Sequence, residues 1–253
     1  MRRSVALLAS AVLAVFVASG VALAATVDCK AGADRCLGTD RPDTIRGTTV
    51  RDVINAKAGN DEVRAHGGRD SVYGRAGADD LYGGDGGDFF YGHEGDDMIY
   101  ANEGDDFIRG DAGDDALFGG PGKDTITTSP ASGNTDQLYG GPGADELYDA
   151  GGRNTIEGGP GDDQIEGHGR LLGGTRDDEI YGSAYGPEEG PRGILGGGGE
   201  DYVYSEGETN DTVYVSDGKR DVVDDCGGGT DTVYFDEGLD DVDRTSCENP
   251  VPR

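Results

Sequence analysis

Residues 83–91 read Gly83-Gly84-Asp85-Gly86-Gly87-Asp88-Phe89-Phe90-Tyr91. Six residues of glycine and aspartate suit a tight reversal, and the three that follow have strand composition. The same order recurs every nine residues on both sides. Aspartate stands at Asp43, Asp52, Asp61, Asp70, Asp79, Asp88, Asp97, Asp106, Asp115 and Asp124 without a slip. Two residues after each comes an apolar side chain, from Ile45 and Ile54 through Phe90 to Leu117 and Ile126. Two residues before it sits a glycine in every unit from Gly59 to Gly122, while Arg41 and Val50 hold that place in the first two. Phase kept this strictly is the mark of a repeat architecture and not of a disordered acidic tract.

The period translates into geometry. One unit is a short strand plus one reversal, so a second unit is needed to return to the start, and unit n lies beneath unit n+2. Alternation along the strand turns the apolar residue inward and its two neighbours outward. The fold class is therefore all-β, a parallel β-roll solenoid built from nonapeptide repeats. Stacking places like aspartates on successive coils, and two unit charges about 4 Å apart repel by roughly 1 kcal/mol in water and about 4 kcal/mol at an effective dielectric of 20. Something positive must sit between the coils. Carboxylates and the carbonyls of glycine-rich turns offer the six or more oxygens that a calcium-sized ion takes, and magnesium suits such a dehydrated site less well.

Residues 83–91 fit G-G-x-G-x-D-x-U-x, and the sequence resembles the haemolysin-type, repeats-in-toxin family. The resemblance runs from Gly38 to Thr127 and resumes after an interruption at Ser129 to Asn134, with Asp136, Asp145, Asn154 and Asp163 in phase. It implies a β-roll with several Ca2+ ions in its turns, each shared by the aspartate of one unit, turn carbonyls and the unit two later. Carried onto this sequence, the implied pairs are Asp61 with Asp79, Asp70 with Asp88, Asp79 with Asp97, Asp88 with Asp106, Asp97 with Asp115, Asp106 with Asp124, and Asp145 with Asp163. Units starting near Gly38 and Gly47 lack the second glycine and those at Asp211 and Asp221 lack most glycines, so the implication does not extend to them. Many members of that family carry a large toxin or enzyme domain and leave by a C-terminal signal. This sequence is almost all repeats and resembles a stand-alone module.

Beyond Asp163 the period stutters, with a short unit at Gly167 to Leu172, a regular one ending Asp178-Glu179-Ile180 and a longer insertion rich in Gly, Pro and Glu. From Asp201 it becomes ten, with Asp201, Asp211, Asp221 and Asp231 followed by Val203, Val213, Val223 and Val233. The expected organisation is a signal peptide at 1–24, an N-terminal cap at 25–37, regular repeats at 38–127, interrupted repeats at 128–195, ten-residue repeats at 196–235 and a C-terminal cap at 236–253.

Arg2 and Arg3 precede an uncharged stretch from Ser4 to Val27, and Ala22-Leu23-Ala24 offers a signal-peptidase site. A retained anchor is the alternative, which Ser19, Gly20 and the Ala-x-Ala site disfavour. The expected location is extracellular, with no membrane insertion after cleavage. The whole chain carries 21 − 51 = −30, and loss of the signal makes it 19 − 51 = −32, a balance that excludes ordinary nucleic-acid binding and disfavours anionic membrane surfaces. Four cysteines in an exported chain point to disulfides, with Cys29–Cys36 and Cys226–Cys247 favoured among three connectivities because each staples one end.

Catalytic motifs are missing. His66 and His93 occupy turn positions held by glycine elsewhere, His93-Glu94 is not followed by the second histidine of a zinc helix, and Ser183 in Gly182-Ser183-Ala184-Tyr185-Gly186 stands one place early for a nucleophile elbow. The expected function is that of a secreted, non-enzymatic calcium-binding repeat protein, a structural or binding module. One alternative is an adhesion or glycan-binding protein using outward ladders of Tyr82, Tyr100 and Phe118 on one sheet and Tyr73 and Tyr91 on the other. The other is a cryptic hydrolase built on Ser183 or His93.

Overall fold

The computed structural model describes residues 24–32, 35–130, 134–182, 193–205, 210–247 and 249–253. The expected signal peptide, apart from its last residue, and Ser183 lie outside them. The described chain is a two-sheet parallel β-roll with 13 strands in one sheet and 12 in the other, and successive strands alternate between the sheets. No helix among the described residues is long and apolar enough to cross a membrane.

Each strand pairs with the one two units away, as the nine-residue period requires. Phe89–Glu94 pairs with Phe107–Ala112 in the register Phe89↔Phe107 and Phe90↔Ile108, and Ser71–Ala76 pairs with it from the other side through Val72↔Phe90. The inward residue of every unit, Ile54, Val72, Phe90 and Ile108 among them, is fully buried. The core is thus a double file of these side chains, joined in some strands by a second buried residue such as Ala56, Ala65, Ala101 or Phe235, and stacked coils cover it.

Departures from the period are absorbed mostly at the turns, and strand register survives them except between Val203 and Tyr204, where Val203 lies opposite Val223 but Tyr204 opposite Asp225. Across the 128–136 unit the coil-to-coil step grows to 21 residues, yet Leu117 still lies opposite Leu138. The short unit cuts the step to 15, with Ile156 opposite Leu171. The ten-residue section gives a step of 20, with Val213 opposite Val233.

The segments expected as caps are themselves terminal coils. Ala25–Asp28 and Cys36–Leu37 begin the two sheets, and Asp241–Val242 and Asn249–Pro252 end them. Disulfides join Cys29 to Cys36 and Cys226 to Cys247, and Pro250 and Pro252 remove ladder donors from the last strand, which blunts its open edge. On the outer faces Tyr82, Tyr100, Phe118 and Tyr139 stack at centroid separations of 5.3, 4.6 and 4.8 Å, and Tyr73 stacks on Tyr91 at 5.2 Å.

Candidate metal centres

Two rows of turns run along the edges of the roll, and each contributes one aspartate per coil at the sixth place of the nonapeptide. These side chains do not point into water. Asp61, Asp70, Asp79, Asp88, Asp97, Asp106, Asp115, Asp124, Asp145 and Asp163 are all 3% exposed or less. One carboxylate oxygen is used internally, because the main-chain N–H of each aspartate donates to Oδ1 of its counterpart one coil on. Asp61 donates to Asp79 at 2.8 Å, Asp70 to Asp88 at 2.8 Å, Asp79 to Asp97 at 2.9 Å and Asp88 to Asp106 at 2.6 Å. Asp97 donates to Asp115 and Asp106 to Asp124, both at 2.9 Å, and Asp145 to Asp163 at 2.8 Å. Every implied pair is therefore adjacent, joined by an amide-to-carboxylate bond rather than by two facing carboxylates.

The second oxygen is buried without a hydrogen-bond partner in all ten residues. In seven of the ten it rests against a glycine at the first place of its own turn, since a Cβ added at Gly74 would lie 2.5 Å from Asp79 Oδ2 and one at Gly83 2.7 Å from Asp88 Oδ2, whereas Asp61, Asp70 and Asp106 have buried Ala56, Ala65 and Ala101 at that place. From Gly59 to Gly122 the fourth place is a glycine held at positive φ, and a Cβ at Gly77, Gly95 or Gly113 would strike the carbonyl oxygen of Gly59, Gly77 or Gly95 on the preceding coil. Those carbonyls run along the turn row like rungs. At Gly161 the same added atom would meet both the Gly143 carbonyl oxygen and, at 2.9 Å, Asp163 Oδ1, so carbonyl and carboxylate oxygens converge on one place.

Burial without a counter-charge leaves its mark on acidity. Desolvation first, then neighbouring carboxylates, push Asp97 and Asp124 up to about 8 against the rows' main-chain hydrogen bonds, which pull the other way. Asp79, Asp115 and Asp145 reach about 7, and Asp61, Asp70, Asp88, Asp106 and Asp163 about 6. A row of partly protonated buried acids is poorly stabilised by itself. Among the described residues no three His, Cys, Asp or Glu side chains converge. A cation here would draw most of its shell from one or two carboxylates and from turn carbonyls, an all-oxygen set that fits a hard ion of calcium size and not zinc.

Four residues left out of the sequence-based set share the geometry: Asp136, Asp178, Asp201 and Asp221 are buried with Oδ2 unpartnered, and their carboxyls are raised by burial to about 6, 8, 6 and 7. At Asp43, Asp52 and Asp211 the second oxygen is taken. Thr39 N–H donates to Asp43 Oδ2 at 2.5 Å, Thr48 N–H and hydroxyl donate to Asp52 Oδ2 at 2.6 and 3.0 Å, and the Ser205 hydroxyl reaches Asp211 Oδ2 at 2.6 Å. Thr four residues before the aspartate, as at Thr39 and Thr48, marks a capped acid, whereas Thr175, three residues before Asp178, leaves that Oδ2 unpartnered.

Of the residues weighed for catalysis, the described ones, His66 and His93, are not brought together with a nucleophile, and Ser183 lies outside the described residues. His66 and His93 sit in the turns at φ of 79° and 81°, and His93 Nδ1 lies 3.4 Å from Asp111 Oδ2 on the surface, beside Arg109.

A parallel β-roll whose two turn rows stack buried carboxylates against glycine carbonyls defines the class as an acid-lined solenoid. The family model of the RTX calcium-binding nonapeptide repeat matches in four copies, at residues 37–72, 57–90, 91–126 and 131–165. The chain belongs to that family, whose repeats bind calcium. No curated protein matches it.

Proposed function

We propose that this chain is an exported, non-enzymatic calcium-binding β-roll, a structural or binding module that folds on and is held by several Ca2+ ions. The observation that carries the reading is the unpartnered, buried Oδ2 repeated coil after coil beside a glycine carbonyl. The ions are assigned to the turns of Asp61, Asp70, Asp79, Asp88, Asp97, Asp106, Asp115, Asp124, Asp145 and Asp163, and by the same geometry to those of Asp136, Asp178, Asp201 and Asp221. Bound calcium supplies the positive charge that the stacked carboxylates need. The protein supplies the preset cage: aspartate Oδ1 is locked by the coil before it, Oδ2 is free, and left-handed glycines aim their carbonyls along the row. A paired pair of disulfides and an Ala-x-Ala site support export.

The aromatic ladders favour packing over sugar docking. Interplanar angles of 6°, 8° and 3° along Tyr82, Tyr100, Phe118 and Tyr139 mean that the rings cover one another's faces and offer a partner mainly edges and hydroxyls. The reading is tested by metal analysis of the mature protein after dialysis against equal calcium and magnesium. Several calcium ions per chain and no comparable magnesium are expected, and a chain that retains neither contradicts the proposal.

A further inference from the structure

One turn breaks the pattern in a way that changes its charge. Counting from the first place of the repeat, the unit 149–154 reads Asp149-Ala150-Gly151-Gly152-Arg153-Asn154, with an acid where glycine stands and an amide where aspartate stands. In ordinary turns the glycine leaves room beside the free Oδ2, as at Gly140, where an added Cβ would come within 2.5 Å of Asp145 Oδ2. Here the Asp149 side chain fills that space, and it is 4% exposed.

Its carboxylate is saturated by the protein. Oδ1 accepts from the Thr128 hydroxyl at 2.8 Å, from Gly151 N–H at 3.1 Å and from Asn154 Nδ2 at 2.6 Å. Oδ2 accepts from His168 N–H at 3.2 Å and lies 3.5 Å from His168 Nδ1. Thr128, Asn154 and His168 are 7%, 1% and 2% exposed, so the whole group is interior. An aspartate at 154 would set a second carboxylate against the first, whereas asparagine donates to it and still accepts Asp136 N–H through Oδ1 at 2.6 Å. Acidity reverses accordingly. Burial pushes Asp149 up, but hydrogen bonds from His168, Gly151 and Thr128 outweigh it and hold the carboxyl below its ordinary range, opposite to the row aspartates. On the next coil the shortened unit places Gly169 opposite Asn154, so the row has no carboxylate there. The other row continues through Asp145, Asp163, Asp178 and Asp201.

We infer that Thr128, Asp149, Asn154 and His168 form a metal-free closure that replaces a calcium site and ends one of the two ion rows, leaving the middle of the roll with calcium on a single edge. The inference rests on the calcium reading of the other turns. Its test is the number of calcium ions bound at saturation, with the calcium midpoint, for the mature wild type, Asp149→Asn and Asp163→Asn. Asp149→Asn is expected to keep the wild-type ion count and calcium midpoint while lowering the thermal midpoint in saturating calcium; Asp163→Asn is expected to lose at least one ion. Thr128→Ala, which removes a single donor, is expected to behave as Asp149→Asn does and serves if that variant does not fold. Loss of an ion in Asp149→Asn or Thr128→Ala overturns the closure alone. A wild type with no bound calcium overturns the reading of the whole roll instead.

Discussion

Gly77 has no room for a methyl group. Its φ is 130°, and a Cβ would be driven into the Gly59 carbonyl of the coil before. Gly77→Ala is expected to cost about 3 kcal/mol or more, read from thermal denaturation in calcium, because strain and clash add and backbone cannot yield. Arg75, also left-handed at φ 89°, behaves differently. Arg75→Gly should leave stability within about 1 kcal/mol of wild type, since relief of the left-handed backbone offsets the greater freedom of the unfolded chain. The row carboxylates carry a prediction of their own. Their folded pKa values, about 6 to about 8 without metal, lie above the ordinary 3.8, so between these limits the folded chain holds more protons than the unfolded one and stability falls as pH rises. Chelated protein should therefore gain β-structure when taken from about pH 8 to about pH 5, with protons doing part of the work of calcium, and calcium affinity should weaken over the same interval. Circular dichroism in chelator that shows loss of structure on this acidification would contradict the account.

At the scale of strands and turns, the ladders of outward rings hold coil to coil. Tyr100 stacks on Tyr82 and Phe118 at once, so Tyr100→Ala removes two ring pairs and should destabilise by about 1–3 kcal/mol in calcium-loaded thermal melts. An unchanged midpoint would show that these rings are not packing elements. The strands, their parallel register and the inward residues could be read from the sequence because one number, the period, sets all three. That legibility ended where the period broke. Nothing in the short unit told which turn place His168 held, so its burial against Asp149 was invisible, as was the exchange of glycine and aspartate for Asp149 and Asn154. Asp136, Asp178, Asp201 and Asp221 were missed for a related reason. They lie where the period stutters or changes to ten, although Asp178 and Asp201 follow paired glycines, and only the structure shows that their second oxygen lacks the cap that Thr39, Thr48 and Ser205 give to Asp43, Asp52 and Asp211.

For the whole molecule, a formal charge of −30 and a narrow core of one or two side chains per strand set the terms. Such a chain buries little apolar surface per residue and repels itself, and the proposed reading couples its ordering to cations that bind the folded rows and not the open chain. The two disulfides fasten the terminal coils but leave the acid rows between them uncompensated. Calcium at the level found outside cells fits that need. The most direct measurement is a far-UV circular dichroism titration of the mature, chelator-treated protein with calcium, with magnesium as control, repeated for Asp97→Ala and Asp106→Ala. A cooperative gain of β-structure that calcium alone produces, shifted to higher calcium by both substitutions, is the predicted result. A spectrum that does not change up to about 10 mM calcium, an order of magnitude above the range of extracellular modules, would contradict the claim that this fold depends on the ion.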